Sequence, residues 1–70
     1  MLGTVYARRF RNGFTLHLKY PGDAVVRVAA KADNTPVVFA SEDMIKAVGP
    51  AILKGTYTPE AYITEAQLGV

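Results

Sequence analysis

The stretch FTLHLKY, residues 14–20, alternates apolar and polar side chains without a break. A β-strand sends successive side chains to opposite faces, so this period predicts a strand covered on one side only. Phe14, Leu16, Leu18 and Tyr20 are expected inside, with Thr15, His17 and Lys19 exposed. Before the strand, Arg11-Asn12-Gly13 can reverse the chain in two ways. A two-residue Asn-Gly loop sets Arg9 and Arg11 opposite Leu16 and Phe14. A three-residue loop with Gly13 left-handed pairs Phe10 with Phe14. A slip of one residue turns a whole strand over, so the hydrophobic pattern decides for the three-residue loop. Tyr6, Phe10, Phe14, Leu16 and Leu18 then share the covered face with Arg8 as the misfit, and Arg9 joins the open face.

Tyr20-Pro21-Gly22-Asp23 suits a type II turn, with glycine where φ must be positive. AVVRVAAK (24–31) follows as a third strand; Tyr20 opposite Ala24 sets Leu18 beside Val26, Leu16 beside Val28, and Arg27 outward beside His17. ADNT (32–35) is a loop, and PVVFA (36–40) a short fourth strand or extended arm whose proline suits an edge. At Ser41 the period changes. Ser41 is an N-cap candidate, Glu42 and Asp43 favour a first helical turn, and Ile45, Val48 and Ile52 recur at helical spacing with Met44 and Ala51. Gly49 and Pro50 together favour a break over a kink, and Gly55 ends the segment. Thr58-Pro59 reads as a second helix start leading into Tyr62, Ile63 and Ala66.

The expected architecture is therefore α+β: a three- to four-stranded antiparallel meander sheet (1–40) with one or two C-terminal helices (41–70) packed on one face. No repeat or linker divides residues 1–70, so one domain is expected. Its core is expected to hold Phe10, Phe14, Leu16, Leu18, Val26, Val28, Ile45, Val48 and Ile52.

A chain of 70 residues has a thin core, and without cysteine it has no disulfide to reinforce it. No apolar run reaches the ~20 residues of a membrane span, the N-terminus lacks the apolar core of a signal peptide, and Asn34-Thr35-Pro36 is not a glycosylation site. A cytoplasmic protein that does not enter membranes is expected. Half the residues are hydrophobic, which calls for tight packing or an apolar patch covered by a partner, and a homodimer is as readily accommodated as a monomer.

Chemistry-bearing residues are sparse. His17 is the single histidine and Ser41 the single serine, and the predicted elements separate them. The paired acids Glu42 and Asp43 suit a helix start, and no glycine-rich phosphate loop or metal-ligand spacing is present. A protein that binds without catalysing, and without metal or cofactor, is expected.

Charge is the remaining clue. The net charge is +2, yet residues 1–31 carry six basic side chains against one acid, and residues 32–70 carry two against five. On the expected register Arg9, His17, Lys19 and Arg27 form an open basic sheet face, with Arg11 at the turn and Lys31 at the end of the third strand. The bland interpretation is a solvated sheet face. The functional one is docking on a protein partner with an acidic surface, with Arg8, Tyr57 and Tyr62 as rim or anchor residues. A small regulator or inhibitor of the kind mobile elements encode fits that description. The alternative is a double-stranded DNA-binding module using the same face; in element order alone the chain resembles the arm-binding domains of phage-type integrases. RNA and single strands are disfavoured, because no aromatic lies on the basic face for stacking. A structural or oligomer-forming protein is the third option.

Overall fold

The computed structural model describes residues 3–68 of the chain. Four strands, β1 (Thr4–Phe10), β2 (Gly13–Lys19), β3 (Arg27–Ala30) and β4 (Ala61–Thr64), form one antiparallel meander sheet in the order β1-β2-β3-β4. One helix, α1 (Glu42–Lys54), joins β3 to β4 and packs on the sheet, and a 3-10 turn, η1 (Glu65–Leu68), follows β4. The expected α+β class is the observed one.

The alternation in β2 is real, but both faces are covered. Beneath α1, Leu16 and Leu18 meet Ala29, Phe39, Ile45 and Ile52, with Phe14 and Val48 partly buried beside them. On the reverse face Val28, Ala30 and Ile63 form a second cluster, closed by Ala61 and by Leu68 of η1. Thr15 and His17, expected in water, are each only 1% exposed, whereas Lys19 is exposed as expected. The period of one strand reports that its two sides differ in polarity; it does not report that a distant turn folds back over the polar side.

Two registers also differ from expectation. Arg11-Asn12 is the loop between β1 and β2, setting Phe10 opposite Gly13, Arg9 opposite Phe14, Ala7 opposite Leu16 and Tyr6 opposite His17. Tyr6, Arg8 and Phe10 therefore share a face with His17, and Arg9 stands on the helix side. Tight two-residue loops need positive φ, and Arg11 supplies it at 55°. Gly13 serves another purpose: a Cβ there would lie 2.7 Å from the Phe39 carbonyl oxygen. Likewise Leu18 faces Arg27 and His17 faces Val28, so Val28 joins the reverse cluster and Arg27 the helix side. The turn at Pro21-Gly22 forms as read, with Gly22 at φ 87° and Asp23 N–H donating to the Tyr20 carbonyl at 3.1 Å. The strand resumes only at Arg27, leaving Val26 half-buried outside it.

Residues 36–40 form the extended arm. Phe14 and Phe39 exchange both backbone hydrogen bonds, at 2.9 and 2.7 Å, and Val37 N–H donates to the Ala29 carbonyl at 3.1 Å. The arm delivers Phe39 to the core. Ser41 occupies the N-cap position of α1 but makes no side-chain capping bond, and Gly55 ends the helix at φ 81°. Between them α1 runs unbroken through Pro50, correcting the expected break. Pro50 and Lys46, whose carbonyl loses its partner, are both exposed, so water can satisfy that carbonyl. Ile45, Gly49 and Ile52 form the buried stripe. Pro50→Ala should accordingly be neutral or stabilising, because a backbone donor returns and no buried contact is lost. Thermal unfolding checks this; a lowered midpoint would show that the proline positions the helix.

Residues 61–64 form a strand where a second helix was expected. Ile63 pairs with Val28 and Ala61 with Ala30. Tyr-Ile-Thr suits a pleated surface, and the outer edge of β3 otherwise has no partner. The helical start lies at Thr64 instead, where Gln67 Oε1 accepts the Thr64 N–H at 2.8 Å in a Thr-x-x-Gln capping box.

Candidate functional site

The basic side chains do not share one face. At the hairpin end, Arg11 and Lys31 border one depression with Asn12, Pro36 and Val38, and Arg8 and Arg9 precede the same turn on β1. Arg9 lies 6.0 Å from the Phe14 ring centre and Arg11 5.2 Å from that of Phe10. Lys19 sits at the opposite end of β2, opposite Thr4. Arg27 turns toward Asp23, 3.6 Å away. Tyr57 is exposed after α1, and Tyr62 is half-buried on β4, the edge opposite β1. Burial raises the Tyr62 phenol above its ordinary value. The two tyrosines and the hairpin arginines are thus at opposite sides of the sheet.

His17 belongs to a buried polar cluster that the sequence did not reveal. Thr15 Oγ1 lies 2.7 Å from His17 Nε2, and Tyr6 stacks on the imidazole at 5.3 Å between centres. On the other side Glu65 Oε2 approaches Nδ1 to 2.8 Å. That contact is close but poorly aligned, so Nδ1 makes no proper hydrogen bond. Glu65 also meets Arg8 and the Tyr6 hydroxyl, each at 3.4 Å. The neutral ring, with Nδ1–H toward the carboxylate and Nε2 accepting from Thr15, fits these partners. A hydroxyl, an imidazole and a carboxylate in series have the composition of a nucleophile with its base. Here the hydroxyl is buried and the carboxylate is off-line, and the contacts link η1 to β2 across the reverse face.

Burial lowers the His17 pKa, opposed by Glu65 and reinforced by Arg8. The unfolded chain, with an ordinary histidine near pH 6.5, takes up a proton first as pH falls. The stabilising contribution is therefore present above about pH 6.5, declines below it, and is gone once pH passes the lower folded value. Stability measured by denaturant from about pH 7.5 down to about pH 5 should fall more steeply for the native chain than for His17→Gln. Parallel profiles would remove His17 from the acid response.

The sheet edge offers a surface of another kind. Phe14 directs its N–H and C=O to Phe39, so the facing Arg9 is in a non-hydrogen-bonded pair. By alternation Val5, Ala7 and Arg9 turn their backbone groups outward from β1, and among the described residues no strand pairs with that edge. Alongside runs a groove of about 420 Å³ whose walls include Val5 and Ala7 on β1 and Glu42, Ile45, Lys46, Gly49 and Leu53 on α1. Gly49 permits the close approach of helix to strand, since a Cβ there would lie 3.0 Å from Val5 Cγ1. No acidic residue occurs from Thr4 to Lys19. The alternating pattern of β2 signals a sheet, but only the tertiary order makes β1 its free edge.

Among the described residues no helix is long and apolar enough to cross a membrane, and no group of three or more metal-ligating side chains forms. Comparison with known proteins finds no matching family model, no matching characterised protein and no matching solved structure.

Proposed function

We propose that this is a non-enzymatic binding protein, a small regulator or inhibitor, that docks on an acidic protein partner. The observation that carries this reading is the exposed edge of β1, where Arg8 and Arg9 lead to Arg11 at the turn with no acid in the segment. Glu65 partly offsets Arg8, and Arg9 and Arg11 remain oriented over aromatic rings, a weakly hydrated cation arrangement suited to an interface. The apolar groove beside the edge supplies the desolvated centre that arginine rims surround in protein interfaces. The burial and misalignment of the Thr15–His17–Glu65 series support binding over catalysis.

Duplex DNA is the second reading, favoured by a two-stranded ribbon with arginines at its tip, a shape that enters a major groove. Salt separates the two. DNA affinity should fall with a log–log slope of about −0.9 for each neutralised phosphate. A protein interface with an apolar centre should lose association rate but keep most of its affinity. The test is capture of a stoichiometric partner with and without nuclease, beside duplex titrations at physiological salt. A nuclease-resistant partner is expected. Tight duplex binding that disappears in Arg9→Ala/Arg11→Ala would replace the protein reading with the DNA one.

A further inference from the structure

We infer that the open edge of β1 receives an extended acidic segment of the partner by strand addition, with alternate apolar side chains of that segment seated in the groove against α1. This rests on the protein-binding reading above and specifies its mode. Three features of the fold support it.

The first is backbone polarity. Val5, Ala7 and Arg9 present N–H and C=O groups at regular spacing along one line, and an added strand would satisfy them as the ladder between β1 and β2 satisfies their neighbours. The second is shape. Side chains of an added strand that share a face with Val5 and Ala7 point toward α1, where Ile45, Gly49 and Leu53 line an apolar floor. Gly49, lacking a side chain, packs directly against Val5 and brings that floor up to the strand. The third is charge, which selects the occupant. Arg8 and Arg9 are adjacent on β1; on the helical wall Lys46 and Glu42 offset each other and Glu65 partly offsets Arg8, so Arg9 carries most of the excess charge at this edge. A second copy pairing antiparallel about Ala7 would bring four arginines onto one junction, and edge cations of this kind disfavour self-pairing. An acidic strand encounters the same arginines as attraction.

The probe is an acetylated, amidated heptapeptide alternating glutamate and valine, titrated into the full chain while backbone amide signals are followed. Its binding should perturb Val5, Ala7 and Arg9 and slow their hydrogen exchange. The same peptide N-methylated at alternate residues, so that its ladder donors are blocked, should bind at least about tenfold more weakly, since several backbone hydrogen bonds are lost. Ala7→Pro should have a similar effect: its missing N–H points outward, a site where an edge strand tolerates proline. Arg8→Glu/Arg9→Glu should also weaken binding, and a lysine–valine peptide should bind poorly to the native chain.

Binding that survives both N-methylation and Ala7→Pro, yet is lost on charge reversal, would overturn strand addition and leave the acidic-partner reading intact. Equal binding of the lysine–valine peptide would overturn both. No response at Val5, Ala7 and Arg9 with millimolar peptide would overturn strand addition, as would a dimer in sedimentation that Ala7→Pro dissociates. The N-methylated peptide leaves the protein unchanged, so the mode is tested even if the proline variant fails to fold.

Discussion

Leu16→Ala should destabilise the protein by about 2–5 kcal/mol, the range for removing a fully buried leucine and leaving a cavity. Leu16 is wholly buried in the larger cluster, which Phe39 of the arm and Ile45 and Ile52 of the helix share. A small domain holds roughly 5–15 kcal/mol in total, so a large share of the stability should be lost. Denaturant unfolding followed by circular dichroism measures it. The adjacent His17→Ala should also be costly, by about 1–3 kcal/mol, because the buried Thr15 hydroxyl loses its 2.7 Å partner and keeps only the Arg8 carbonyl at 3.5 Å. A strand with one wet face would give a large effect at Leu16 and almost none at His17. Comparable losses at neighbouring positions are the signature of a sheet covered on both sides, and a silent His17→Ala would show that η1 does not cover it.

Gly13→Ala should destabilise by about 1–3 kcal/mol through overpacking, although alanine is a modest change. The new Cβ would sit 2.7 Å from the Phe39 carbonyl oxygen, a backbone atom that cannot swing aside. The arm must move, and the paired hydrogen bonds of Phe14 and Phe39 move with it. Faster amide exchange at Phe39 should therefore accompany the loss of stability. Gly22→Ala is the contrasting variant. Gly22 has open space around it but a φ of 87°, so its cost is local backbone strain of about 1–2 kcal/mol and leaves the arm unaffected. Normal Phe39 protection in Gly13→Ala would contradict the close approach.

The contrast between these two glycines illustrates what the chain discloses before it folds. Gly22 follows Pro21, and that pair specifies its turn from local sterics alone. Gly13 follows Asn12 in a dipeptide that equally suits a turn, yet its lack of a side chain accommodates Phe39 of the arm, far outside the window of about 11–18 residues that a local pattern reads. The same division runs through the hairpin. Both registers weighed from the sequence assumed that Gly13 belonged to the loop; placing Arg11 at positive φ frees Gly13 for the arm and shifts β1 by one residue. That shift exchanges Arg8 and Arg9 between faces and, with the separate shift that turns Arg27 to the helix side, dissolves the expected basic face. One local signal was available and decisive nearby: Thr64-Glu65-Ala66-Gln67 matches a capping box and marks the turn that carries Glu65 over His17.

By itself the sequence determined the α+β class, the β2 strand, the turns at Pro21-Gly22 and at residues 32–35, a helix start at Glu42 and a helical stop at Gly55. Each rests on a period or a backbone preference contained within a few neighbouring residues. Only the tertiary structure decided the two strand registers, the use of residues 61–64 as a strand, the passage of α1 through Pro50 and the burial of His17. Those outcomes depend on what lies opposite: an arm over Gly13, an otherwise unpaired edge of β3, the exposure of Lys46 and Pro50, and η1 over the second face. The candidate site divides the same way. Its arginines are visible in the sequence, but an edge and a groove are relations between elements, and they exist only once β1 stands outermost with α1 beside it.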